Sequence, residues 1–179
     1  MSSLFVYPVT SPQMPTKVLN HLEDITSTLA DYGVRIECFP ASTRVRPGTG
    51  QEDVISACRV EIDRLMTERG LATVEVISRD DDQSPGASSP LREEHVHGGA
   101  HLHWFVAGRG LLSLHLGDHV YALLCERDDL VSLPAGTRQW LDIGEHPHVV
   151  AVRLFSGPDG AVAKPTGDEI AARISGLDD

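Results

Sequence analysis

The sequence has few cysteines, and they form no metal-binding or redox motif. Cys38, Cys58 and Cys125 are far apart, odd in number and include no Cys-x-x-Cys pair. Small secreted domains stabilised by disulfides instead carry closely spaced, even sets of cysteines. We therefore expect three reduced, unpaired thiols in a protein of a reducing compartment.

Long apolar runs and an excess of basic residues are also absent. No stretch approaches the roughly 20 apolar residues of a membrane helix. Residues 1–12 lack the basic start and the apolar run of a signal peptide. The 15 Lys and Arg residues are outnumbered by 26 Asp and Glu residues, which gives a net charge of −11 and disfavours contact with phosphate backbones. We expect a cytoplasmic protein that binds neither membranes nor nucleic acid.

The most informative feature is a short stretch that is rich in histidine. His95 and His97 are two residues apart, so on an extended strand their side chains project from the same face. The pair Gly98-Gly99 permits a sharp turn that returns His101 toward them. Neutral imidazole is the commonest protein ligand for first-row transition metals, and three ligands on one side leave the other side of an ion open. The stretch predicts a metal site; the alternative is a solvated, polar loop.

Apolar spacing predicts two helices in the N-terminal part, over residues 18–29 and from residue 52 to Gly70. Thr49 and Glu52 have the spacing of a capping box at the start of the second helix. Thr166 and Glu169 have the same spacing before a short C-terminal helix that runs through Ile170 and Ile174. Ser, Pro and Gly residues between 80 and 90 indicate a flexible loop.

From residue 91 the pattern changes to short strands separated by glycine turns, including a break at residues 108–110. Such spacing is typical of an antiparallel barrel or sandwich. The predicted strands cover residues 102–106, 110–116, 119–125, 130–133, 139–143 and 149–155. We expect a single domain, with a helix-containing part and loop at 1–90, a barrel core with the metal site at 91–156, and a tail with a helix at 157–179.

Two blocks of the chain resemble the signature motifs of the cupin superfamily, and within it the chain resembles the acireductone dioxygenase family. The blocks are His95-x-His97-x3-His101-x6-Gly108 and Asp128-x5-Pro134-x-Gly136-x2-Gln139. The closer resemblance lies in residues 68–70, 74–76, 92–97, 104–108, 129–137, 140–144, 152–155, 158–160 and 166–168. It implies a mainly β cupin fold, a double-stranded β-helix or jelly-roll barrel, with the helices packed outside. It also implies a cytoplasmic oxidoreductase, a dioxygenase that uses one divalent ion, iron or nickel.

The resemblance is incomplete at the metal site. The family holds its ion with three His and one Glu, of which His95 and His97 match two of the histidines. His101 stands where the family has Glu, and Gln139 stands where it has its last His. Three neutral imidazoles leave a divalent ion with its full charge, and they also suit zinc or copper. We interpret these departures as adaptation of the pocket to another substrate or another metal.

Three further side chains are candidates for contact with substrate. Gln139 either offers its amide oxygen to the metal or hydrogen-bonds water or substrate. His103, where the family has Arg, either lines the pocket as a ligand or as an acid or base, or has a packing role. Arg153 lies on an apolar strand and would need an anionic partner if it points inward, which makes it a candidate substrate anchor.

The remaining polar residues near these motifs have simpler interpretations. His115 and His119 flank a hairpin turn and are expected at the surface. Glu93 and Glu94 either accept a hydrogen bond from the N–H of a metal-binding imidazole and so orient it, or are exposed carboxylates. Three aromatic residues are expected in the barrel core: Trp104, Phe105 and Trp140.

Together these features predict a metal-dependent enzyme that acts with O2 on a small enediol-like or diketone-like metabolite. Its partners would be that small molecule and O2. The alternatives are a non-redox metal-dependent isomerase, lyase or cyclase, and a non-catalytic cupin that binds a small ligand or a metal.

Overall fold

The computed structural model describes residues 2–80 and 90–178, so most of the loop predicted over residues 80–90 lies outside the described residues. The helices are α1 (Leu22–Ala30), α2 (Gln51–Ala57), α3 (Arg59–Arg69) and α4 (Pro158–Ala161), and single 3-10 turns lie at Pro90–Arg92 and Ile170–Arg173. None of the helices in the described ranges is long and apolar enough to cross a membrane. The strands are β1 (Ser3–Pro8), β2 (Lys17–Leu19), β3 (Arg35–Cys38), β4 (Thr73–Arg79), β5 (His95–Val96), β6 (His101–Leu116), β7 (His119–Glu126), β8 (Asp129–Leu133), β9 (Arg138–Asp142), β10 (Val149–Phe155) and β11 (Lys164–Pro165).

The long strand β6 belongs to both halves of an antiparallel β structure. Its first half pairs with β8 and β10, and its second half pairs with β7 and β9. One half has the strand order β11-β5-β9-β6-β7-β1-β2, and the other has β4-β10-β6-β8-β3. The largest apolar cluster takes residues from both halves, for example Leu114 of β6 and Ala151 of β10, so it fills the interior between them. The mainly β architecture predicted from the strand spacing is confirmed.

The predicted break at residues 108–110 is wrong, because β6 bends there instead of ending. Gly108 has a φ of +69°, and the register with β10 shifts between Val150 and Ala151. A Cβ at Gly108 would lie 1.8 Å from the carbonyl oxygen of His148. A glycine is therefore required for a bulge that lets one strand serve both halves of the barrel.

Successive side chains of each strand point to opposite faces of the sheet, so the core is divided into an interior and an outer layer. Phe105 and Ala151 face the interior cluster, whereas Trp104 and Val152 pack against α2 and α3. Trp140 packs on another outer face, against Ile170 and Ile174 of the C-terminal segment. The three aromatic residues expected in the core are thus buried, each contributing on the order of 2–3 kcal/mol of hydrophobic stabilisation.

The N-terminal helices differ from their predicted bounds. Residues 17–19 pair with β1 as β2, so α1 begins at Leu22 and not at residue 18. Thr49 does not cap the second helix, because its hydroxyl donates to the carbonyl of Arg46. That helix is interrupted at Cys58, and it ends at Gly70 in the left-handed conformation, as predicted.

The C-terminal capping box is also wrong. Thr166 donates its hydroxyl to the carboxylate of Glu94 at 2.7 Å, and residues 170–173 form one 3-10 turn without a side-chain cap. The chain between β10 and this turn forms α4 and β11, which the sequence did not indicate. The three cysteines are unpaired, as expected, with Cys58 and Cys125 buried and Cys38 exposed.

Candidate metal centre

The barrel encloses a cluster of polar side chains near one end of its interior. His103, Gln139 and Arg153 alternate with interior residues such as Phe105, so the strand period directs them inward. The register places His95 opposite Gln139 and His103 opposite Arg153. The members of the cluster, each at most 4% exposed, are His95, His97, His101, His103, Gln139 and Arg153.

The turn between β5 and β6 folds the histidines against one another, as the glycine pair predicted. The ring centroids of His95 and His97 are 5.2 Å apart, and those of His97 and His101 are 4.7 Å apart. A Cβ at Gly99 would lie 2.3 Å from the hydroxyl of Ser156, so the turn packs closely against the end of β10. The alternative of a solvated, histidine-rich loop does not describe these buried rings.

Hydrogen bonds to main-chain carbonyls fix the tautomer of three of the rings. The Nδ1 partners are Glu93 for His95 (2.7 Å), Gly160 for His97 (3.0 Å) and Gly99 for His101 (2.9 Å). A carbonyl oxygen only accepts, so each Nδ1 carries the proton and each Nε2 of the neutral ring keeps its lone pair. This is the tautomer in which a histidine binds a metal through Nε2 while its other nitrogen is held by the protein.

The environment keeps these rings uncharged. Burial lowers the pKa of His95 and of His101, and burial together with His101 and Arg153 lowers the pKa of His97 to about 3. Burial and the Arg153 charge hold the pKa of His103 well below its usual range. All four are therefore neutral near pH 7, the state that a metal ligand requires.

Gln139 bridges two of the histidines with its amide. Its Nε2 donates to Nε2 of His101 at 2.7 Å, and its Oε1 accepts from Nε2 of His103 at 3.1 Å. His103 therefore carries its proton on Nε2. Its Nδ1 is left as a buried acceptor that has no hydrogen-bond partner among the described residues.

Arg153 does point inward, and it has the anionic partner that such a position requires. One guanidinium nitrogen lies 3.3 Å from the carboxylate of Glu75, and another donates to Nε2 of His97 at 3.3 Å. The guanidinium also lies 5.0 Å from the ring centroid of Phe155. Burial lowers the pKa of Arg153, and Glu75 opposes this shift.

The donor set suits a divalent transition metal, but the spacing must tighten before an ion can bind. Two of the three Nε2 lone pairs already accept hydrogen bonds from Gln139 and Arg153. In the described part of the chain, one group of His, Cys and acidic side chains has all its ligating atoms within 4.8 Å of one another. That group does not include the interior histidines. A bound ion would therefore displace the guanidinium from His97 and turn the Gln139 amide.

That closer group lies on the outside of the barrel and corrects the expectation for His115. Its members are Glu94, His115 and Asp168. His115, expected at the surface, is only 6% exposed, and its Nδ1 lies 2.6 Å from the carboxylate of Glu94. Glu94 is buried, whereas Glu93 is exposed and contributes only its carbonyl. The C-terminal segment that covers Glu94 and His115 is distant in sequence, so no local pattern indicated their burial.

An antiparallel β barrel with an interior lined by neutral imidazoles in the ligating tautomer is the arrangement of a cupin metalloprotein. The model of the ARD/ARD' family matches residues 16–163. The chain is 57% identical to an acireductone dioxygenase of Pseudomonas syringae pv. syringae and 52% identical to one of Pseudomonas aeruginosa PAO1, each over the full length of both chains. The chain therefore belongs to the ARD/ARD' family.

A solved structure shows the same fold. Acireductone dioxygenase from Bacillus anthracis, with a cadmium ion in its active centre, superposes with a TM-score of 0.74 at 22% identity, covering 91% of this chain and 97% of that one. The predicted family, the cupin fold and the enzyme class, a dioxygenase-like oxidoreductase, are confirmed.

Proposed function

We propose that this chain is a metal-dependent dioxygenase that acts with O2 on a small enediol-like or diketone-like metabolite. Acireductone, from which its relatives take their names, is the first compound to test. The observation that carries the proposal is the set of three buried imidazoles whose Nδ1 protons are all held by main-chain carbonyls. Iron or nickel follows from the family, and zinc or copper also fits a set of imidazoles. When bound, the ion would supply Lewis acidity at the place where substrate and O2 meet.

In this proposal His95, His97 and His101 hold the ion through Nε2. Gln139 withdraws its amide N–H from His101, while its Oε1 keeps the Nε2 proton of His103 and offers its second lone pair either to the ion or to substrate. His101 stands where the resemblance places the family's carboxylate ligand, so the side chains proposed to hold the ion carry no negative charge. A site of this kind favours an anionic, enediolate-like ligand more strongly than a site that includes a carboxylate.

Arg153 would anchor the anionic oxygen of the substrate. Its charge is only partly compensated by Glu75, whose side chain is 45% exposed, while the Arg153 side chain is 4% exposed. A buried guanidinium that leaves His97 needs a new acceptor, and an enediolate oxygen supplies one.

His103 would accept a proton or a hydrogen bond from a substrate hydroxyl. No group in the described part of the chain donates to its Nδ1 inside the barrel, and Gln139 holds the opposite ring nitrogen. Low exposure of the whole cluster excludes bulk water from the reacting atoms.

Metal content and O2 consumption test the proposal directly. The purified chain is reconstituted separately with iron, nickel, zinc and copper, and elemental analysis is expected to find one equivalent of the native metal. O2 uptake and product analysis with acireductones and diketones should then show turnover. Stoichiometric metal without turnover on any substrate would favour the non-catalytic binding protein, and far less than one equivalent would overturn the metal site itself.

The variant His97→Ala tests the ligand set. Loss of one of three imidazoles leaves a weak two-histidine site, so stoichiometric metal should be lost after dialysis. His119→Ala is the matched control, because that ring is partly exposed and pairs with Asp118 at the surface. If His97→Ala still retains one equivalent, the metal is held elsewhere.

A non-redox, metal-dependent reaction is the second candidate function. Three neutral imidazoles without a carboxylate match the donor set of catalytic zinc sites. An isomerase, lyase or cyclase of this kind would convert its substrate under anaerobic conditions, which distinguishes it from a dioxygenase.

A further inference from the structure

The chain that follows β10 returns to the polar cluster, where it contacts His97 and the strand that carries His95. We call residues 158–168 the return segment. The carbonyl of Gly160 accepts the Nδ1 proton of His97 at 3.0 Å. Further along, β11 pairs with β5, with Lys164 opposite Val96 and Pro165 opposite His95. Two of the three candidate ligands are therefore held by this segment.

A side-chain contact completes the attachment. The Thr166 hydroxyl donates to one carboxylate oxygen of Glu94 at 2.7 Å, and the Thr166 N–H donates to the Glu94 carbonyl at 3.1 Å. The hydroxyl oxygen in turn accepts the N–H of Asp168 at 3.2 Å, which leaves its proton directed at Glu94. The other carboxylate oxygen of Glu94 pairs with His115 at 2.6 Å.

This contact bears on the metal site because of where Glu94 lies. It directly precedes His95, and its neighbour Glu93 supplies the carbonyl that fixes the His95 tautomer. Glu94 is 1% exposed, so a carboxylate oxygen that loses its donor there is left buried and unsatisfied. A shift of the backbone around Glu94 that relieves this penalty would move His95 with it.

We propose that Thr166 is a positioning residue for the metal site, which acts through Glu94 to hold His95 beside His97. This inference rests on the proposed metal site. The position is suited to such a role, because Thr166 itself is exposed and contributes no side chain to the apolar core, while its hydroxyl reaches a fully buried carboxylate. Substitution there should alter the metal site and leave the barrel intact.

Binding of Co2+ to the metal-free chain tests the inference without an activity assay. Affinity is measured by competition with a chelator, and the visible spectrum of bound Co2+ reports its coordination. Thr166→Val should weaken Co2+ binding by about ten-fold or more and shift the spectrum, which is the usual cost of losing a group that orients a metal ligand. Thr166→Ala should behave in the same way, and Thr166→Ser should restore both measurements.

The matched control is Thr49→Val, which removes a hydroxyl with a similar hydrogen bond, to the Arg46 carbonyl, in the loop before α2. It should bind Co2+ as the parent does, and all four variants should keep the circular dichroism of the parent. A parent that binds one equivalent and a Thr166→Val variant with the same affinity and spectrum would overturn this inference alone. A parent that binds no Co2+ would overturn the proposed metal site, and this inference with it.

Discussion

At the scale of single residues, His101 and Gln139 are the pair on which the proposed metal site depends most. They stand where the family is expected to have Glu and His, and they contact each other at 2.7 Å. A site with a carboxylate in place of one imidazole compensates more of the charge of a divalent ion. In the proposed site, the residues at these two positions would therefore control metal affinity and Lewis acidity together.

The double variant His101→Glu with Gln139→His should bind Fe2+ at least about ten-fold more tightly than the parent, or roughly 1.4 kcal/mol. The physical reason is the added negative charge together with a fourth strong donor, since three imidazole nitrogens are then joined by a carboxylate. Anaerobic titration with Fe2+ against a chelator provides the measurement, and the two single variants provide the controls. Equal iron affinity in parent and double variant would mean that these two positions do not define the site.

The site shows which residues a sequence can identify. His95, His97 and His101 are close in sequence, so strand period and a glycine turn were sufficient to predict that they meet. Arg153 was recognised as unusual because a charged residue interrupts an apolar strand, but its partner Glu75 lies on another strand. The buried carboxylate of Glu94 accepts a hydrogen bond from Thr166, which is 72 residues away, and no local pattern indicates that contact.

At the scale of elements, the bulge in β6 joins the two halves of the barrel. Gly108→Ala should destabilise the protein strongly, by about 3 kcal/mol or more, because it adds a clash with the His148 carbonyl to an unfavourable positive φ. Gly117→Ala is the matched control, since Gly117 has a similar φ of +65° but no atom within 4 Å of the added Cβ. It should cost only about 1–2 kcal/mol.

Urea denaturation of the two variants separates the backbone strain from the clash. Both variants have the strain of a positive φ, and only Gly108→Ala has the clash with the His148 carbonyl. Equal losses of unfolding free energy would show that the bulge accommodates a side chain. The circular dichroism of Gly108→Ala should also change if the register of β6 against β10 is disturbed.

Elements were predicted well where local pattern and tertiary environment agree. Strand β10 has the predicted bounds, since every residue of it is buried and glycine and proline residues lie on both sides. The start of α1 and both capping boxes were wrong because other partners compete for the same groups. Val18 pairs with Phe5 in a sheet, and the hydroxyl of Thr166 is taken by Glu94.

At the scale of the whole molecule, the buried histidines make the stability of the metal-free protein depend on pH. The folded-state pKa values of His95, His97, His101 and His103 are all lowered, that of His97 to about 3 from 6.5. Below pH 6.5 the unfolded chain therefore binds more protons than the folded one. The free energy of unfolding must then fall as the pH falls, and it is fully retained only above the unfolded pKa.

Between pH 7 and pH 5, the slope of the unfolding free energy against pH should approach about 1.4 kcal/mol per pH unit for each histidine that stays neutral in the folded protein. Urea denaturation of the metal-free chain across this range measures it. His103→Leu removes one of the four groups and should give a shallower slope than the parent. Because an imidazole that is charged in the fold contributes no such slope, the same slope in His103→Leu as in the parent would show that His103 is not held neutral, and a flat profile would show that none of the four rings is. A site of three neutral imidazoles ready to bind a metal would then be excluded.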